Sequence, residues 1–152
     1  MIITAEQEVD APAEPVFAVI TDPCRLGAWN AIVRRTVEAP DELVPGAQWV
    51  VELGSMGQTW RSRSTVAEID RTARRFAYRS RTDDGNPSCA EWTWTVTPSG
   101  SGCVVTVVAD LHPATFWRRV LLVKIRARQL RRRELPDSLR ALAREAASTP
   151  TP

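Results

Sequence analysis

VDAPAEPVFAVITDPCRLGAWN, Val9 to Asn30, is the stretch that decides the fold. Upstream of it, Ile2 to Val9 alternates imperfectly between apolar and polar residues and reads as a first strand. Asp10-Ala11-Pro12 breaks that strand: Asp10 can cap a helix, and Pro12 can occupy the first helical turn, where its missing backbone donor is not needed. Val16, Phe17, Val19 and Ile20 give a short helix one apolar face. Asp22-Pro23 ends it and opens a second short turn of helix through Leu26 to Trp29.

Downstream, turn chemistry punctuates the chain at Pro40-Asp41, Pro45-Gly46, Gly54 to Gly57, Asp70 to Ala73, Asp83 to Pro87 and Pro98 to Gly102. The segment after Asn30 and five further runs bring the total to about seven strands, and with no helix between them they pair as an antiparallel sheet. The last element begins near Pro113. Phe116, Val120, Val123, Ala127 and Leu130 recur at steps of three and four, the face of a long helix that closes a cup-shaped sheet. Pro136 lacks a backbone donor and crowds the preceding turn, so the helix must kink or restart there. Leu139, Leu142, Ala143 and Ala146 continue the stripe. Residues 1–147 are expected to form a single domain, and the proline-rich Ser148 to Pro152 a disordered tail.

Composition fits that architecture. A chain of 152 residues can bury a full core, and 43% hydrophobic with 25% charged residues is ordinary globular usage. No stretch approaches the ~20 apolar residues of a membrane span. The sequence opens directly on strand pattern with no secretory leader, so a cytoplasmic location is expected. Cys24, Cys89 and Cys103, without a CxxC pair and with one histidine in the chain, suggest neither a disulfide framework nor a zinc site, and are expected as small buried side chains. No cofactor, metal or nucleic-acid partner is expected.

The net charge of +2 is unevenly spread. Between Arg118 and Glu134 eight basic residues stand against one acid, +7 locally. Such a helix can meet phosphate, an anionic lipid surface or an acidic partner, or can be a solvated face. Trp117, Leu121 and Ile125 form an apolar i, i+4, i+8 line on another side of it, suited to a homodimer or a peripheral membrane contact.

VDAPAEPVFAVITDPCRLGAW, the Pro-Gly turn into AQWVVEL, the hairpin STVAEIDRTARRFAY and the run WTWTVTPSGSGCVVTVV before the long helix together resemble the START-like, Bet v 1-like (SRPBCC) helix-grip superfamily, and within it the bacterial polyketide cyclase/dehydrase-like branch. The resemblance extends from Ile2 to about Ala146. It implies an α+β helix-grip fold: a curved seven-stranded antiparallel sheet wrapped around a long C-terminal helix, with two short helices after the first strand. It also implies an internal cavity for a hydrophobic small molecule. Members include aromatase/cyclases, hydrolytic and condensing enzymes, lipid and quinone carriers, hormone receptors and stress proteins, so the fold does not assign the chemistry.

Side-chain alternation proposes the lining. Trp49, Val51 and Leu53 share the inner face of one strand, with Gln48, Val50 and Glu52 outside. Phe76, Tyr78 and Ser80 face in on another, and Trp92, Trp94 and Val96 on the next; Val105, Val107, Ala109 and Leu111 complete the set. On the strand between, Trp60, Ser62, Ser64 and Val66 suit the interior, whereas a bulge would turn Arg61 and Arg63 inward instead. Trp29, Trp49, Trp60, Trp92 and Trp94 can converge on one concave surface, flat walls for a planar or polycyclic ligand, or can simply fill the core. Phe116 and Val120 would close this site from the helix.

Catalytic groups are sparse. No nucleophile arrangement, phosphate loop or metal-ligand cluster is evident. Tyr78 and the lone His112, where the last strand meets the helix, are the candidates; His112 is a natural general base by type, or a surface residue. Glu134, two residues before Pro136, is a further candidate, or a solvated carboxylate pairing with nearby arginines. The resemblance implies shape-directed cyclisation of a poly-carbonyl chain folded between the tryptophans, with Tyr78 or a buried arginine donating to the developing enolate. The alternative is a non-catalytic carrier or sensor of a lipid, quinone or other hydrophobic metabolite.

Overall fold

The structure, a computed structural model, describes residues 1–83, 85, 87–114 and 123–148. β1 (Ile2–Val9) buries Ile3 and Val9 and leaves Ile2, Thr4, Glu6 and Glu8 in solvent. Asp10 does not cap the helix that follows. α1 (Ala13–Ile20) starts one residue past Pro12, whose carbonyl accepts the Val16 N–H at 3.4 Å, and no side chain caps it. Proline at the cap position holds φ at −59° and so sets the entry angle without a capping side chain. Capping appears one element later, where Asp22 Oδ1 accepts the Cys24 N–H at 3.1 Å and opens a 3₁₀ turn, Pro23–Arg25, running into α2 (Leu26–Trp29).

Six strands follow: β2 (Val33–Glu38), β3 (Gln48–Ser55), β4 (Gln58–Asp70), β5 (Arg75–Thr82), β6 (Cys89–Ser99) and β7 (Gly102–His112). All pair antiparallel in the order β1-β7-β6-β5-β4-β3-β2, giving one seven-stranded sheet. Met56 and Gly57, with φ of 52° and 76°, make the two-residue β3–β4 turn in which both positions are left-handed. At the β4–β5 turn Asp70 accepts the N–H groups of Thr72 and Ala73.

The bulge anticipated in β4 exists, but its place decides the phase. The register with β5 slips between Val66 and Glu68, beyond the serines. Ser62, Ser64 and Val66 are therefore buried, while Arg61 is exposed and Arg63 bonds Asp83 and Gln48 and pairs with Glu38 on the outer face. Val50 keeps its outward place, outside the main apolar cluster, yet it is buried, because the long side chains Arg63 and Glu38 flank it in register. Of the cysteines only Cys103 is buried; Cys24 is exposed and Cys89 lies between, because Cys24 sits in the 3₁₀ turn rather than on a core face.

Above the sheet lies a continuous helical run: α3 (Val123–Gln129), a π turn (Leu130–Glu134) and α4 (Leu135–Ser148). The restart expected at Pro136 takes this form. A proline cannot donate to the preceding turn, and the wider winding, with the Leu135 N–H on the Leu130 carbonyl, absorbs the defect without a break. α4 rests on α1, α2 and β1. Ser138 Oγ accepts the Ala31 N–H at 2.9 Å, and Arg25 bonds Glu145 at 2.8 Å, fixing the helix to the α2 region. Val16, Val19, Val105, Val107, Leu130 and Leu142 are fully enclosed where α1, β7 and the helical run meet. Phe116, Trp117, Val120 and Leu121, and residues 149–152 of the expected tail, lie outside the described residues, and α4 extends to Ser148. Among the described residues no helix is long and apolar enough to cross a membrane.

Candidate ligand-binding and active site

The interior is solid beneath α1 and most of α4 but hollow beneath α3 and the π turn. A cavity of about 330 Å³ opens there, between the helix and the concave face of the sheet. The sheet supplies Trp49, Val51 and Leu53 from β3, Trp60, Ser62 and Ser64 from β4, Tyr78 and Ser80 from β5, and Trp92 and Trp94 from β6. Val123, Arg126, Glu134, Leu135 and Ser138 line it from the helical run. The volume sits at the lower end of ligand-sized cavities.

Two expected wall residues stand behind the wall instead. Trp29 meets Trp94 edge-on at 5.4 Å, and Phe76 stacks on Trp49 at 5.9 Å; neither reaches the cavity. Trp29 sits in a helical turn, where strand alternation gives no guidance. Its Nε1–H is buried with no partner among the described residues, a defect of about 1–3 kcal/mol.

The aromatic walls are held in place by their polar edges. Trp92 Nε1 donates to Ser80 Oγ at 2.9 Å, and Trp94 Nε1 donates to the Tyr78 hydroxyl at 3.3 Å. Tyr78 meets Trp49 edge-on at 4.8 Å and stacks against Trp92 at 6.4 Å. Because the Tyr78 oxygen accepts from Trp94, its own proton is free for an acceptor in the cavity; none of the described residues takes it.

Burial pushes the Tyr78 phenol up to about 12; the Trp94 hydrogen bond opposes this and the negative charge of Glu134 adds to it. The hydroxyl is thus a protonated donor throughout the neutral range. A phenol whose folded value lies above its unfolded value of about 10 stabilises the fold fully below pH 10, and that contribution is lost as pH rises towards 12. Tyr78 is the only tyrosine in the chain, so tyrosinate absorbance should stay flat past pH 10 and rise near 12 together with loss of the fold. Titration in the native protein near pH 10 would contradict this burial.

His112 stands at a half-exposed place on the cavity lining. Its Nε2 lies 3.2 Å from Asp110 and 3.4 Å from Glu91. Strand alternation explains this: Leu111 takes the inward place, and Asp110 and His112 share the outer face. The three groups lie within 4.8 Å of one another, close enough for a metal ion. Their charge is already answered, since Glu91 is bonded by Arg79, which holds its carboxyl below the usual range, and Asp110 pairs with the N-terminal ammonium at 3.4 Å.

Glu134 is not a solvated helix-end carboxylate. It is 6% exposed and bonded through both oxygens to Arg126, Nη2 to Oε1 at 2.9 Å and Nη1 to Oε2. Two arginines line the cavity, Arg126 from the helical run and Arg81 from β5, and the one that pairs with Glu134 is Arg126, which the sequence did not single out. Eight residues apart, Arg126 and Glu134 would be offset by about 80° around an α-helix, and the wider π turn takes up that offset.

A sheet gripping a helix over a small aromatic-walled cavity defines a helix-grip protein. The chain belongs to the family described as polyketide cyclase/dehydrase and lipid transport, whose model matches residues 1–147. Solved structures share the fold at low identity. A Chromobacterium violaceum protein, CV1439, is 21% identical with a TM-score of 0.73, covering 97% of this chain and 98% of its own. The di-domain ARO/CYC BexL of the BE-7585A biosynthetic pathway is 17% identical with a TM-score of 0.74, over 97% of this chain and 46% of that one. Norcoclaurine synthase from Thalictrum flavum, solved with dopamine and hydroxybenzaldehyde, is 14% identical with a TM-score of 0.72, over 100% of this chain and 89% of that one. No curated protein matches the chain.

Proposed function

We propose that the protein encloses an aromatic or polyketide-like small molecule and promotes its cyclisation or a related rearrangement, in the cytoplasm of a bacterium and as part of a biosynthetic route. The observation that carries this is the cavity itself: about 330 Å³, walled by Trp49, Trp60, Trp92 and Trp94, with an unclaimed phenol proton at Tyr78. Its size suits two or three fused rings rather than a long acyl chain. Fixed indole planes hold a flexible poly-carbonyl chain with its nucleophilic carbon against a carbonyl, and positioning of this kind lowers a barrier by several kcal/mol. Tyr78 donates to the oxygen that gains charge. BexL, an ARO/CYC, and norcoclaurine synthase, holding two aromatic molecules, use the same fold.

A carrier of hydrophobic metabolites is the second reading. Lys124, Arg128, Arg131, Arg132 and Arg133 are exposed, and Ile125 is 54% exposed beside them, a surface that suits an anionic membrane. One pair of measurements separates the two. An enzyme loses turnover by roughly 10²–10³ in Tyr78→Phe while keeping its ligand affinity. A carrier shows no turnover in either form and hands its ligand to anionic vesicles in a salt-sensitive manner.

A further inference from the structure

Glu134 is the anomaly of this interior. A nearly enclosed carboxylate occupies a cavity wall where an aliphatic side chain would pack without the cost of desolvating a charge. Arg126 answers its charge but not all of its hydrogen-bonding capacity: each oxygen takes one N–H, and a carboxylate offers about four acceptor sites. The group stands at the end of a π turn, a distortion frequent at functional sites. Across the same cavity is the Tyr78 hydroxyl, a donor whose proton has no acceptor among the described residues. The charge of Glu134 reaches it, being one of the influences that keep the phenol protonated.

We propose that Glu134 is the proton-accepting group of the cavity, with Tyr78 as its donor partner and Arg126 as a positioning residue, and that the molecules taken are ketones bearing an acidic C–H beside the carbonyl on an aromatic frame. This rests on the ligand-enclosing function above and names its chemistry. Glu134 takes the proton from the carbon next to the carbonyl. The C–H electron pair becomes the C=C bond of an enolate, and the carbonyl π pair moves onto oxygen, where the Tyr78 O–H donates a hydrogen bond. The enolate carbon attacks a second carbonyl carbon of the same molecule and forms the ring C–C bond. The alkoxide so produced takes the proton from Glu134 and restores the carboxylate. Reactant and cyclic aldol are isomers, so no oxidant, reductant or co-reactant is consumed.

The test uses 1-tetralone, a bicyclic ketone whose C2 hydrogens exchange slowly by themselves. The intact protein is incubated with it in D₂O, deuterium at C2 is followed by NMR, and binding is followed separately by tryptophan fluorescence. The wild type is expected to accelerate exchange. Glu134→Gln, which keeps the shape and an acceptor for Arg126, is expected to lose roughly 10²–10⁴-fold of that rate with affinity changed less than about threefold. Tyr78→Phe should lose ~10²–10³-fold, leaving Glu134 in place. If Glu134→Gln does not fold, Glu134→Asp serves instead, with a loss of about tenfold or more from the misplaced carboxylate. Binding without acceleration by the wild type, or exchange at the wild-type rate in the Glu134 variant, overturns the base. Failure of tetralone to bind at all overturns the ligand-enclosing function too, and the base with it.

Discussion

Trp94→Ala is expected to lower the free energy of unfolding by about 3–5 kcal/mol, read as a shift of the urea midpoint at nearly unchanged slope. Trp94 is 2% exposed and joins both sides of the site. Its ring carries the edge of Trp29, and its N–H fixes the Tyr78 hydroxyl. An ordinary core truncation is softened by collapse of the neighbours into the gap. Here the gap would merge with a cavity that already exists, so no collapse can restore the lost contacts. Ligand affinity should fall with stability, because the wall and the phenol that it orients are lost together. A loss below about 1 kcal/mol would mean that this part of the wall is not packed as described.

Breaking the Arg126–Glu134 pair from one side should be nearly as costly as that truncation. Arg126→Met leaves a carboxylate enclosed with no guanidinium, and the expected loss is about 2–3 kcal/mol, less than for a fully buried pair because Arg126 is a third exposed. Replacing both, as Arg126→Met with Glu134→Leu, should recover most of it, since an apolar pair of similar volume needs no compensating charge. The double variant should nonetheless fail in the tetralone exchange assay. Equal losses in the single and double variants would show that packing, not charge burial, governs this part of the helix.

Legibility in the sequence followed the directness of the local physical signal. Proline and aspartate fix the ends of α1 and α2 by removing or answering backbone donors, and both helices stand where Pro12 and Asp22-Pro23 place them. Alternation placed Trp49, Val51, Leu53, Trp60, Tyr78, Trp92 and Trp94 on the cavity side, because strands transmit phase reliably until a bulge intervenes. The place of the β4 bulge was not legible: nothing in Val66, Ala67 or Glu68 marks it, and only its position past Ser64 keeps Arg61 outside. His112 shows the limit of alternation: Leu111 takes the inward position, yet His112 also lines the cavity, half-exposed beside Asp110 and Glu91. Glu134 was legible as a candidate, but its burial and the choice of Arg126 among the neighbouring cations were not. Their pairing depends on a winding change at a proline, which fixed-period reading of a helix cannot express.

The hollow interior is tested most directly by calorimetric titration of 2-naphthol into the wild type and into Ser64→Phe, which places a ring in the cavity from a buried position on β4. The wild type should bind one equivalent saturably with a negative heat-capacity change, and the filled variant, still folded, should bind none. No saturable heat in the wild type, or the same heat in both proteins, would contradict a ligand-sized space between sheet and helix.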